Sequence, residues 1–145
     1  CAHNRHCIFG EIANGIMIPN EIGAIIDKWW NKLPQKFPPV EIDYCVIMPN
    51  HFHGIIVIGE KEAGIKAGAH AGVPLQKIIQ WFKTMTTNDH IKWKKQNRTP
   101  RSSGGLWQRN YYEHIIRKEE DLYNTRKYIT ENALKWHLDS EFPKN

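Results

Sequence analysis

Apolar positions recur with two different periods along this chain, and the switches between them mark its elements. Short apolar stretches at Cys7–Phe9 and Gly15–Ile18 flank Asn14-Gly15, a favoured hairpin dipeptide, and predict two paired strands. Asn20 is placed to cap a helix on which Ile22, Ile25, Ile26, Trp29 and Leu33 form one apolar face, with Pro34, Pro38 and Pro39 ending it. Ile42–Met48 reads as an apolar strand, Pro49-Asn50 as a break, and Phe52–Ile58 as a second strand. Its run of Ile55, Ile56, Val57 and Ile58 suits burial on both faces. Gly59–Gly72, with four glycines and four alanines among charges, predicts a mobile loop. Pro74 opens a helix that carries Leu75, Ile78, Ile79, Phe82 and Met85 on one face and runs to about Lys95. A polar loop over Gln96–Gly105 leads to an extended Leu106–Tyr112. A last helix is expected from Lys118 to Trp136, before a short tail containing Pro143.

That order predicts an α+β fold, an antiparallel sheet covered by helices on one side. No internal repeat or linker divides residues 1–145, so a single domain is expected.

Composition narrows the setting. A hydrophobic fraction of 41% with 24% charged residues is that of an ordinary globular chain. No run approaches the roughly 18 apolar residues of a membrane span, and no secretory leader is present, so no membrane partner is expected. Cys1, Cys7 and Cys45 form neither a CxxC pair nor a disulfide framework, which fits a reducing cytoplasm.

Charge changes the picture more. The net charge is +5, and between Lys83 and Arg101 the cations Lys83, Lys92, Lys94, Lys95, Arg98 and Arg101 face one acid, Asp89. Trp81, Trp93, Trp107, Tyr111 and Tyr112 lie among or near them. Such cations neutralise phosphates, and flat rings stack on unpaired bases at roughly 1–3 kcal/mol each. A solvated helix face ending in a loop accounts for the same charges equally well.

Two places can carry chemistry. In a strand, His51 and His53 face the same way while Phe52 faces the opposite layer. Two imidazoles are too few for a closed zinc site, so they would form an open metal site that leaves room for substrate oxygen. On spacing alone, ordinary strand histidines are the commoner case. On the last helix, Tyr128 shares a face with Asn132, close to Asn124 and Glu131, beside a core stripe of Leu122, Ile129 and Ala133. A phenol there is either a surface tyrosine or a nucleophile.

Three blocks choose between these readings. They are Asp43-Tyr44-Cys45-Val46-Ile47-Met48-Pro49-Asn50-His51-Phe52-His53-Gly54, the run from Leu106-Trp107-Gln108-Arg109 to His114-Ile115-Ile116-Arg117, and Arg126-Lys127-Tyr128-Ile129. In this order they resemble the REP-associated tyrosine transposases, within the wider HUH single-strand transposases. The resemblance implies a ferredoxin-like, HUH-type sheet with the catalytic tyrosine on the last helix. It implies that His51 and His53 hold Mg2+ or Mn2+, with Asn132 where related enzymes place a third, amide-bearing ligand. It further implies that Tyr128 attacks a DNA phosphate, leaving a 5′-phosphotyrosine and a free 3′-hydroxyl. Arg109, Tyr112 and Arg117 join the DNA-contacting set, and His114 either approaches the site or braces it. The implied partner is single-stranded or hairpin DNA, and family members occur both as homodimers and as monomers.

Three departures are notable. Related enzymes often carry Gln where Asn132 stands, one methylene longer. Asn132-Ala133 replaces the usual Asn-Pro, so the helix is expected to run on through Trp136. The family's first strand would fall ahead of Cys1. Two competing activities remain: a catalytically silent hairpin-binding protein of the same fold, and a water-activating metal hydrolase that leaves no covalent adduct.

Overall fold

Asn14 and Gly15 both adopt positive φ, 53° and 74°, as the tightest hairpin turns require. They join β1 (Gly10–Ala13) to β2 (Ile16–Pro19), antiparallel with Ala13 opposite Ile16. The first strand therefore begins three residues later than Cys7. Phe9 leaves the pairing, is fully buried, and lies against Trp107 with ring centroids 5.1 Å apart.

The computed structural model describes residues 1–59, 73–99 and 105–143. Asn20 caps α1 (Glu21–Trp30), its Oδ1 accepting from the amides of Ile22 and Gly23 at 2.9 and 3.1 Å. The helix stops at Trp30, before any proline. Pro34 instead sits in the first turn of a short α2 (Leu33–Lys36), where a missing N–H costs nothing.

β3 (Val40–Ile47) and β4 (Phe52–Ile58) pair antiparallel, with Val46 opposite His53, Ile47 opposite Phe52, and an irregularity between Ile42 and Cys45. Among the described residues the sheets are these two two-stranded ones. β4 is not covered on both faces as the sequence suggests, since Val57 is 49% exposed. Leu106–Tyr112 forms no strand. One bridge, Trp107 to Ala2, is its share of sheet pairing.

α3 (Leu75–Gln96) and α4 (Glu119–Glu131) complete the α+β architecture. Helices cover both sides of the β3–β4 pair. On one face Phe52 meets Trp30 of α1 at 4.9 Å and Phe82 of α3 at 5.6 Å. A Cβ on Gly54 would lie 2.5 Å from the Trp30 ring, so the helix can come this close because that position is glycine. On the other face His53 meets Tyr128 of α4, with ring centroids 5.3 Å apart. Adjacent strand residues point to opposite faces, so α4 lies across the sheet from α1 and α3. Arg126 fastens it there, donating from Nε and Nη2 to Asp43 Oδ2 at 2.9 and 2.7 Å. Ile129 is buried, while Leu122 and Ala133 are half-buried.

The last helix ends at Glu131 and does not continue to Trp136. Neither Pro nor Gly stops it. The Lys135 amide is shared between the carbonyls of Glu131 and Asn132, and the chain tightens into a 3-10 turn over Trp136–Leu138. Trp136 then seats its ring 5.7 Å from His51 and 5.3 Å from Phe142. Tertiary packing of an aromatic, rather than a breaker residue, turns the chain.

Candidate metal and tyrosine site

That turn delivers a residue that sequence reasoning does not single out. Asp139 stands with His51 and His53 so that one ligand atom from each lies within 4.8 Å of the others, a group that could hold a metal ion. His51 is 1% exposed and leads into β4, His53 follows within it, and their rings are 4.7 Å apart. Asp139 is held in turn, its Oδ1 accepting from the Glu141 amide at 2.7 Å.

The state of His51 follows from its neighbours. Asn50 Nδ2 donates to the carbonyls of Arg5 and Glu141 at 3.1 and 2.7 Å, which fixes its amide and turns Oδ1 toward His51 Nδ1 at 2.8 Å. An amide oxygen only accepts, so Nδ1 carries the hydrogen and Nε2 presents its lone pair. Burial, reinforced by neighbouring His53, lowers the His51 pKa to about 4 against the opposing pull of Asp139, so the ring is neutral at pH 7. Among the described residues Nε2 is buried without a hydrogen-bond partner, and Asp139 Oδ2 lies 3.8 Å from it. Lone pair and carboxylate repel unless a proton or a cation lies between them. Two imidazole nitrogens and a carboxylate are also a donor set that divalent first-row metals accept, and the carboxylate suits Mn2+ better than imidazoles alone. The residues present therefore fit a divalent cation.

Tyr128 borders the same group. Its hydroxyl lies 3.5 Å from His53 Nε2 and 3.4 Å from Asp139 Oδ2, on a side chain 50% exposed. Burial and then the Asp139 carboxylate raise its pKa, while the Asn132 amide works the other way by favouring the phenolate. At neutral pH the phenol keeps its proton, with the Asp139 carboxylate in reach as its acceptor. Asn132 is 3% exposed, and neither atom of its amide has a hydrogen-bond partner of good geometry among the described residues. It sits beside Tyr128, whereas the oxygen close to both histidines is that of Asp139.

The remaining sequence-selected residues do not join this cluster. Lys83 is half-buried and donates to the carbonyls of Gln108 and Arg109, the latter at 3.1 Å. Lys92 pairs with Asp89 at 3.2 Å. Asp89 also receives Lys28 and the Trp29 Nε1 hydrogen, and these bonds hold its carboxyl down at about 2. Lys94 is half-buried, and Lys95 and Arg98 are exposed at the end of α3. Arg101 lies outside the described residues. Arg109, His114 and Arg117 are exposed, and Tyr112 is 91% so. No hydrogen bond joins His114 to the cluster among the described residues.

Asp139 and Asn50 are what sequence reasoning misses. Asn50 is legible as a break residue but not as the group that orients His51. For Asp139 the one signal is Trp136 and Phe142, since two aromatics in a short polar tail must pack somewhere.

Across 96% of its length the chain is 36% identical to an uncharacterized protein of Haemophilus influenzae, over 155 aligned positions that make up 79% of that relative. Across 67% of its length it is 30% identical to a second Haemophilus influenzae protein, provisionally named a REP-associated tyrosine transposase; this match spans 51% of that protein, about half its length. No family model matches the chain, and no solved structure does. Among the described residues, no helix is long and apolar enough to cross a membrane.

Proposed function

We propose that this chain is a REP-associated tyrosine transposase of the HUH type, which nicks and rejoins single-stranded, hairpin-flanked DNA through Tyr128. The observation that carries this reading is the neutral, unpartnered Nε2 of His51 facing Asp139, with the Tyr128 hydroxyl at the rim of the same group. The partial likeness to a protein named for this activity supports it.

His51, His53 and Asp139 would hold the cation, and Asn132 offers a further oxygen next to Tyr128. A bound Mn2+ or Mg2+ would draw charge from a phosphate oxygen and make phosphorus a better electrophile. The chain's own residues do the rest. Asn50 keeps the His51 lone pair pointed into the site, and Arg126 pins α4 so that Tyr128 stays beside His53. The Tyr128 oxygen bonds to phosphorus as the bond from phosphorus to the 3′ oxygen breaks. The phenol proton leaves to the solvent that the half-exposed hydroxyl meets, and the departing oxygen takes a proton from water to become the 3′-hydroxyl. The phosphotyrosine retains the phosphodiester's energy, so a 3′-hydroxyl can reverse the step without ATP.

End-labelled hairpin DNA with a single-stranded flank, incubated with Mn2+, should yield a denaturation-resistant protein–DNA adduct that Tyr128→Phe cannot form. Equal adduct with Tyr128→Phe would overturn the nucleophile. Tight binding without any adduct would leave a hairpin-binding protein instead. Cleavage without an adduct would point to a hydrolase.

A further inference from the structure

A groove of about 490 Å³ runs between α3 and residues 105–111 and shares no residue with the Tyr128 cluster. Its helix wall is a stripe of short-range polar side chains: Gln76, Gln80, Thr84 and Asn88 recur four apart, all exposed. That spacing places them on one helix face. None of these four side chains makes a hydrogen bond to another described residue. The opposite wall ends in Arg109 and Tyr111.

The walls are held rather than loosely apposed. Lys83 reaches across from α3 to the carbonyls of Gln108 and Arg109. Trp107 Nε1 donates to the buried Thr86 hydroxyl at 2.8 Å. The Gln108 amide donates to the Cys1 carbonyl at 3.0 Å, and the Ala2 amide to the Asn50 carbonyl at 2.7 Å. Residues 1 and 2 thus tie the outer wall of the groove to the residue that orients His51.

From this arrangement we infer that the groove reads unpaired bases of the DNA strand whose phosphate Tyr128 attacks; the inference rests on the function proposed above. Each side-chain amide offers a donor and an acceptor side by side, which is what the edge of a base presents, and Gln or Asn can bond an adenine at two points at once. Arg109 supplies charge for the backbone, and Tyr111 a ring for stacking. A row of lysines would bind any strand. Three amides and a hydroxyl along a held groove discriminate among bases, because a wrong base leaves donors and acceptors unmatched. Lys83 braces this groove through its contacts to the Gln108 and Arg109 carbonyls.

The test uses the full chain and a pool of short single-stranded DNA of randomised sequence, with bound strands recovered and sequenced. The native chain should enrich particular bases. Gln80→Ala and Asn88→Ala should each lower the enrichment at one or two positions roughly 10-fold while leaving it elsewhere. Thr84→Arg, which fills the groove from an exposed position, should flatten it broadly, with thermal melting to show that each variant folds. An unbiased pool from the native chain, or enrichment untouched by all three substitutions, overturns the inference. Adduct formation without groove-dependent enrichment leaves the Tyr128 reading standing and removes this one. Groove-dependent enrichment without an adduct does the reverse.

Discussion

The His51–Tyr128 site and the basic end of α3 use polar groups in opposite ways. At the site, polar atoms are buried and short of partners: among the described residues His51 Nε2 and both amide atoms of Asn132 have no hydrogen-bond partner of good geometry, and Asp139 faces a neutral ring. On α3 the charges are either exposed, as Lys95 is, or already matched, as Lys83 and Lys92 are. Matched and solvated charges cost little and do little beyond long-range attraction. Buried polar atoms without partners are costly, so a fold that keeps them has a use for what they bind. Charge density along the chain draws attention to α3, whereas the buried, unpartnered side-chain atoms beside Tyr128 draw it to the group of His51, His53 and Asp139.

The strongest way to break this contrast is to remove the oxygen that faces His51. Asp139→Ala should abolish Mn2+ binding, followed by calorimetry, and lower adduct formation on the order of 10³-fold. Asn132→Ala should cost less on both measures, and the reverse ranking would make Asn132 the third ligand in place of Asp139.

A second test asks whether His51 is neutral because it is buried. Its folded value near 4 lies below the ordinary 6.5, so between these pH values the unfolded chain binds a proton that the folded chain refuses. Stability is then full above about pH 6.5 and falls by about 3 kcal/mol as the pH drops to about 4, taking roughly 1.4 kcal/mol per unit. Denaturant melts in metal-free buffer would follow the loss. A flat profile would mean that folding leaves the ring's pKa unshifted, and stability lost as the pH rises above 6.5 would mean that His51 is paired with Asp139 as a cation in the fold.

Asn50→Ala sharpens the comparison at smaller scale. It frees the His51 ring to change tautomer and should weaken Mn2+ binding about 10- to 100-fold. Unchanged affinity would mean that the Asn50 contact does not orient the ring. The smallest effect is expected on α3. Lys95→Ala should weaken DNA binding uniformly across sequences and lower the slope of log affinity against log salt by about 1. A larger or sequence-dependent loss would show that α3 charges do more than attract.

Much of the fold is legible in short stretches of sequence. The Asn14-Gly15 turn, the Asn20 cap, the spans of β3, β4 and α3, and the placement of His51 and His53 across the sheet from Phe52 are all local. Each depends on residues within a turn of helix or two strand positions, where backbone geometry leaves few alternatives. The end of the last helix is not legible in this way, because Asn132-Ala133 contains no local stop and the packing of Trp136 on His51 supplies one.

By itself the sequence determined the two hairpin pairings, the cores of α1, α3 and α4, and that His51 and His53 lie opposite Phe52 across one strand. The tertiary structure alone decided that α4 crosses the sheet from α1 and α3, that Lys83 braces carbonyls, and that Asp139 reaches His51 from beyond the last helix. Periodicity encodes what lies on one face of one element. It says nothing about which distant side chain is brought to that face, because that depends on how apolar surfaces from separate elements find room together.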